Sequence, residues 1–294
     1  MTRIGLVGGA RRYHAPSFVA LLNPKDEAAW REASFPPYAT HPIEGALVTA
    51  ICDPDNLAHA QELAAHAEGI ELVTDKPEDL IGQVDGVMLC VDGSGLHQRR
   101  AALFLEAGLP TFVDKPLSRC PTEAAEILAF AKECGAPIMS ASAMRYTSEL
   151  TALDREALGE VRCVVGIGPN ELVDYGIHVC EFIHTVLGPG VRSVRNLGDE
   201  DRNHVYLDWG DGRSALMIVR QDTAYTFRMT LLGEKGTAQL EINDSAGFYR
   251  NLVAAFVEMV RTGVEPIPPT NTLEIIRTLD AAVRSRVLGE EVRL

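Results

Sequence analysis

The run Val87-Met88-Leu89-Cys90-Val91 constrains the fold of this chain more than any other segment. Five consecutive apolar residues leave no wet face, so the run fits a strand covered on both sides in the middle of a parallel sheet. Parallel neighbours cannot be joined by tight hairpins and need crossovers, usually helices. The flanking sequence supplies them. Residues 3–8 form a short buried strand that runs into Gly8 and Gly9, and Leu47–Cys52 is another, ending at Asp53-Pro54-Asp55. Residues 57–67 place Leu57, Ala60, Ala64 and Ala67 on one helical face. A helix through Ala101, Phe104 and Leu105 stops at Gly108, and Thr111–Val113 is the next strand. Pro121-Thr122-Glu123 opens a helix with Ala124, Ile127, Leu128 and Ala131 in register, Gly135 ends it, and Pro137–Ala141 is the last strand of the set. This alternation predicts an α/β domain over residues 1–142 with a doubly wound parallel sheet.

Residues 143–294 read differently. A helix at roughly 174–187 precedes β-rich runs at 191–197, 203–209, 213–220, 225–232 and 237–242. Gly210-Asp211-Gly212 and Gly233-Glu234-Lys235-Gly236 are hairpin-like joints, and helices near 247–262 and 271–288 close the chain. The expectation is an α+β domain with a mostly antiparallel sheet, one face of which must be covered by helices or by another subunit. A homodimer or homotetramer follows from the second option. Asn23 to Gly45 is too long for a strand–helix joint, and it carries Trp30, Phe35, Pro36, Pro37, Tyr38 and Pro42. A lid, an oligomer contact and a surface excursion all fit it.

The 294 residues, 46% of them hydrophobic, suit two domains with substantial cores, and no run approaches the roughly 18 apolar residues of a membrane span. Met1-Thr2-Arg3-Ile4 runs directly into a strand pattern, so no signal peptide is expected. Cys52, Cys90, Cys120, Cys134, Cys163 and Cys180 contain no Cys-x-x-Cys pair and read as reduced thiols of a cytoplasmic protein. A net charge of −14 argues against nucleic acid and anionic membranes as partners, and leaves a small molecule.

Residues with chemical potential gather where the strands of the first half end, which is where such sheets bind ligands. Gly8-Gly9-Ala10-Arg11-Arg12-Tyr13 stands where a dinucleotide fold needs close backbone approach to a pyrophosphate, with Ala10 and Tyr13 in the places of the second and third glycines. Arg11 and Arg12 are candidate phosphate donors; a tight turn with no nucleotide is the plainer alternative. Asp53 either accepts from the adenosine ribose, favouring NAD over NADP, or caps the turn before Pro54. Lys115, in Phe112-Val113-Asp114-Lys115-Pro116, either stabilises a developing alkoxide or is a solvated lysine after a strand, with Pro116 stiffening the turn. Asp174 and His178, four apart, share a face if a helix begins near Asp174; His178 suits proton exchange with a carbinol. The alternative makes Asp174 an N-cap and His178 a core histidine. No tight cluster of metal ligands is visible, and no metal is expected.

Together these segments resemble the glucose–fructose oxidoreductase / inositol dehydrogenase / MocA (Gfo/Idh/MocA) family over essentially the whole chain. Asp114-Lys115-Pro116 is similar to its Glu-Lys-Pro motif, Asp174-Tyr175-Gly176-Ile177-His178 to its Asp-x-x-x-His motif, and Arg145-Tyr146 to the Arg-aromatic pair after the sixth strand. The resemblance implies an N-terminal Rossmann domain that binds NAD, with NADP possible, and catalysis by Lys115, Asp174 and His178. It implies cofactor contacts from Gly8, Gly9, Ala10, Arg11, Arg12, Asp53, Asp92, His97 and Lys115. Substrate contacts fall to Lys115, Arg145, Tyr146, Asp174 and His178. Departures include Asp92-Gly93 where the family often has Thr-Pro, and Glu181 in place of Asp after the motif histidine. The expected activity is hydride transfer between nicotinamide and a secondary alcohol or ketone of a sugar, cyclitol or related polyol. Two alternatives stand beside it: retained NAD used for transient oxidation during elimination, epimerisation or glycoside cleavage, and a non-catalytic nucleotide- or sugar-binding regulator.

Overall fold

Burial on both faces selects apolar strands, and the first half of the chain provides six of them. The computed structural model describes residues 1–36, 43–91 and 94–294. They divide into two compact units, neither a continuous stretch. The first comprises Met1–Ser118, Ala125–Ser140 and Tyr249–Pro269; the second comprises Arg119–Ala124, Ala141–Phe248 and Thr270–Leu294.

The first unit begins with β1 (Thr2–Val7), α1 (His14–Leu22), α2 (Glu27–Glu32), β2 (Ala46–Cys52), α3 (Leu57–Ala65) and β3 (Leu72–Thr74). It continues with β4 (Gly86–Leu89), α4 (His97–Glu106), β5 (Thr111–Val113), α5 (Pro121–Cys134) and β6 (Ile138–Met139). All pairings are parallel, in the order β3-β2-β1-β4-β5-β6, so the winding reverses between β1 and β4. Ile4, Leu6, Val7, Val87, Met88 and Leu89 have no exposed surface, as the unbroken apolar runs required. β3 escaped the sequence pattern because it is a three-residue edge strand and two of its residues are only half-buried.

Part of the long 23–45 segment has a packed structure of its own. Asp26 caps α2 by accepting from the amides of Ala28 and Ala29. Trp30 is fully buried, lies 4.7 Å from the Phe35 ring and donates Nε1–H to the Pro36 carbonyl at 2.8 Å. Asn23 faces β2: its Oδ1 accepts from Val48 N–H at 3.0 Å, and its Nδ2 donates to the Val48 and Glu68 carbonyls. Pro37 to Pro42, including Tyr38, lie outside the described residues.

The second unit opens with α6 (Ser148–Thr151) and α7 (Arg155–Leu158), capped by Thr147 and Asp154, then β7 (Val161–Pro169) and α8 (Gly176–Leu187). There follow β8 (Ser193–Asn196), β9 (Arg202–Asp208), β10 (Ser214–Arg220), β11 (Arg228–Gly233) and β12 (Thr237–Glu241). The chain ends with α9 (Ser245–Thr262), which joins the first unit from Tyr249 onward, α10 (Pro269–Leu288) and β13 (Val292–Arg293). The seven strands run β12-β11-β7-β10-β9-β8-β13, antiparallel except for β7 with β10. Both expected hairpins are present, as β9–β10 and β11–β12.

An interior strand, β7, is absent from the sequence reading, because Gly166, Gly168 and Pro169 look like a turn. The structure gives those glycines another purpose. A Cβ on Gly166 would meet Val179 Cγ1 at 2.7 Å and Phe182 Cε2 at 2.8 Å, and one on Gly168 would meet Val179 Cγ2 at 2.5 Å. The strand is stripped of side chains where α8 rests on it. Gly166→Val should therefore destabilise the protein by about 1–3 kcal/mol in urea unfolding, as overpacked cores do. Ile167→Val, on the half-exposed opposite face, should cost about 1 kcal/mol or less.

Candidate functional site

The first unit brings its candidates to the ends of β1, β2, β4 and β5. Gly8 and Gly9 have φ of 75° and 65°, which side chains other than glycine's tolerate poorly. Their surroundings are as strict. A Cβ on Gly8 would lie 2.4 Å from Val91 Cγ1, and one on Gly9 would lie 2.3 Å from the Cys90 carbonyl oxygen. Gly8 N–H donates to Cys52 O at 2.7 Å, and Cys90 N–H to Val7 O at 2.9 Å, so the turn is sewn to both neighbouring strands. Ala10, where a second glycine was expected, is fully buried. The bare backbone of residues 8–10 and the start of α1 fit a dinucleotide diphosphate.

Asp53 is 4% exposed. Its Oδ1 accepts from the amides of Asp55 and Asn56 at 3.2 Å, and its Oδ2 from Ala10 N–H at 3.3 Å. The turn-capping reading is thus realised in contacts, and the same carboxylate faces the glycine turn. Arg11 points away from that turn: it pairs with Glu62 at 2.8 Å, donates to the Ala33 carbonyl and lies over the Phe35 ring. His97 is 2% exposed and sets its ring nitrogens against the carbonyls of Leu117 and Val91, bracing the loops after β4 and β5. Arg12 is exposed, and Asp92 lies outside the described residues.

Asp114 and Lys115 follow β5. Asp114 Oδ1 accepts from the Lys115 amide at 2.8 Å, and Oδ2 is paired with His14 Nδ1. Burial alone would push the Asp114 carboxyl up; the charge and hydrogen bond of His14, with Lys115 beside it, outweigh this and hold it below the usual carboxylate range. His14 had not been singled out, because a lone histidine opening a helix carries no spacing signal.

The second unit holds the other set. α8 begins at Gly176, so Asp174 precedes the helix and does not share its first-turn face with His178. Both Asp174 oxygens instead accept from Nη2 of Arg119 at 2.7 Å. His178 Nδ1 lies 2.6 Å from Ser142 Oγ, which also accepts from Met144 N–H at 3.1 Å. The His178 ring meets the edges of Tyr175 and Phe227, at centroid distances of 5.8 and 5.5 Å, and Tyr225 extends this aromatic group. One turn along α8, Glu181 accepts from Ser142 N–H at 3.2 Å and from Arg145 Nε at 2.7 Å. Arg145 is therefore committed to Glu181, and burial pushes the Tyr146 phenol well above its ordinary range. Sequence reasoning missed Arg119 and Ser142, because residues 55 and 36 positions from their partners are joined only by the fold.

The Arg145 and Glu181 side chains are 12% and 3% exposed. Removing one partner strands a buried charge, so Arg145→Met should lower stability by about 3–5 kcal/mol, seen as a large drop in the thermal midpoint.

Comparison with known proteins agrees with this layout. Residues 3–142 match the family model described as oxidoreductase family, NAD-binding Rossmann fold. An inositol 2-dehydrogenase from Rhodococcus erythropolis is 27% identical over 234 residues, 69% of this chain and 67% of that protein. A putative myo-inositol dehydrogenase from Sinorhizobium meliloti 1021 superposes with a TM-score of 0.81 at 19% identity, covering 100% of this chain and 99% of that one. GenD2 from gentamicin A biosynthesis, solved in complex with NAD, gives 0.80 at 20% identity over 100% and 96% of the two chains. With its parallel six-stranded sheet and its glycine turn, residues 3–142 form the NAD-binding Rossmann domain of an oxidoreductase family, and the chain is similar to an inositol 2-dehydrogenase over 69% of its length.

Proposed function

We propose that the hydride donor or acceptor is a secondary alcohol or ketone of a sugar, cyclitol or related polyol, with His178 exchanging the proton. The observation that supports this most is the anchoring of the His178 ring, fixed through Nδ1 by a buried serine and flanked by aromatic edges. Imidazole is suited to take and return a proton near neutral pH. Lys115 polarises that oxygen and stabilises negative charge on it. Asp174, gripped by Arg119, accepts from a second substrate hydroxyl. Arg145, through Glu181, braces the Ser142 turn that fixes His178. The inositol 2-dehydrogenase relative favours a cyclitol within this class.

Gly8, Gly9 and Ala10 would hold the diphosphate of NAD, and Asp53 the adenosine ribose, where a carboxylate disfavours a 2′-phosphate. Bound there, the nicotinamide supplies the hydride acceptor. Asp53 has the capacity: three amides occupy it, and an ionised carboxylate offers about four lone-pair sites.

The second unit's sheet supports a homodimer or homotetramer. Alternate residues of β7, β9 and β10 are buried, while Val165, Ile167, Tyr206, Leu216 and Ile218 form a half-exposed apolar ladder on the other face. A second copy covering that ladder is the economical solution. Among the described residues no helix is long and apolar enough to cross a membrane, and a cytoplasmic location is proposed from the cysteine usage.

Two measurements test these assignments. NADH and NADPH titrations should show tighter binding of NADH. Lys115→Met and His178→Ala should bind NADH within about threefold of wild type while kcat on inositols and related polyols falls roughly 10²- to 10⁴-fold. Near-normal rates in either variant would remove that residue from the chemistry. In light scattering, Leu216→Asp should shift the protein to a monomer; an unchanged mass would mean the ladder is not the contact.

A further inference from the structure

Outside the residues assigned so far, the first unit contains a chain of three polar side chains: Asp114, His14 and Tyr249. His14 is the first residue of α1, one step from the glycine turn. Its Nδ1 is bonded to Asp114 Oδ2, and its Nε2 lies 3.0 Å from Tyr249 Oη. The ring also packs against Phe18, Tyr249 and Tyr13, at centroid distances of 5.9, 5.5 and 6.0 Å. The His14 and Asp114 side chains are only 21% and 16% exposed.

Asp114 is held ionised, so both its oxygens accept. Oδ2 therefore receives Nδ1–H of His14, and Nε2 of the same ring faces the Tyr249 hydroxyl. Oδ1 meanwhile receives the backbone N–H of Lys115. One carboxylate therefore bridges the helix that opens at the glycine turn and the peptide that carries the lysine.

We propose that His14 is a positioning residue: it clamps the Asp114–Lys115 turn to the first turn of the nucleotide-binding helix, with Tyr249 as its second anchor. The proposal rests on the role given to Lys115 above and adds a coupling to it. A ligand that orders the start of α1 also orders the backbone of Lys115. Sequence spacing marks neither His14 nor Tyr249 for this task. An orienting hydrogen bond behind a reacting group acts through geometry, and small displacements of such a group are felt steeply in the rate.

The test compares His14→Leu, which keeps an apolar filler but loses both hydrogen bonds, with His14→Asn, whose Nδ2–H replaces the Nδ1 donor to Asp114. Thermal midpoints show that both variants fold. With NADH affinity within about threefold of wild type, kcat should fall roughly 10- to 100-fold in His14→Leu, and most of it should return in His14→Asn. Equal losses in the two variants, or a change confined to the Michaelis constant for NAD, would overturn the clamp. A second readout needs no substrate. In hydrogen exchange, NAD should protect the peptide spanning residues 112–118 in wild type and His14→Asn, but not in His14→Leu. Protection surviving in His14→Leu would overturn the coupling. If wild type turns over no polyol, the functional reading fails alone, and the exchange experiment still decides the role of His14.

Discussion

The approach of the Gly9 backbone to the carbonyl of Cys90 governs the nucleotide end of this protein. No side chain fits between them, and the positive φ of Gly8 and Gly9 lets the chain turn there without strain. Because the turn lies flat against the end of β4, the Gly8 amide reaches β2 and the Ala10 amide reaches Asp53. α1 then starts at His14, in reach of Asp114. The glycines are thus required by packing before any ligand is considered. This explains why a motif with alanine and tyrosine in place of its later glycines still builds the turn.

The alternation of apolar runs and helical faces carried the first unit almost completely, because a strand buried on two faces has a composition that little else shares. It failed at β3, an edge strand too short to show a period, and at β7, where the glycines that admit α8 look like breakers. Asp53, Lys115 and His178 could be nominated as candidates because each lies at or near the end of an element, next to a recognisable motif. Ser142, Arg119, His14 and Tyr249 were not, since their significance is a partner across 36, 55, 100 and 235 positions. The helix expected from Asp174 starts two residues later, and that shift passes the carboxylate from a shared face with His178 to the grip of Arg119.

Charge in the second unit is arranged by depth. Arg119 and Asp174 are substantially exposed, so their pairing is screened and adjustable. Arg145 and Glu181 are buried, bonded to the Ser142 backbone and insulated from salt. The inner pair fixes the frame that holds His178, and the outer pair can yield to an arriving ligand. On the function proposed above, the division keeps the proton-transfer group in place while the hydroxyl-binding groups accommodate different stereochemistry.

Asn23 has an effect beyond ending α1. Its amide takes both backbone groups of Val48, as a neighbouring strand would. An uncovered stretch of β2 would be an adhesive margin, open to pairing with any extended chain during folding or storage. One side chain seals it.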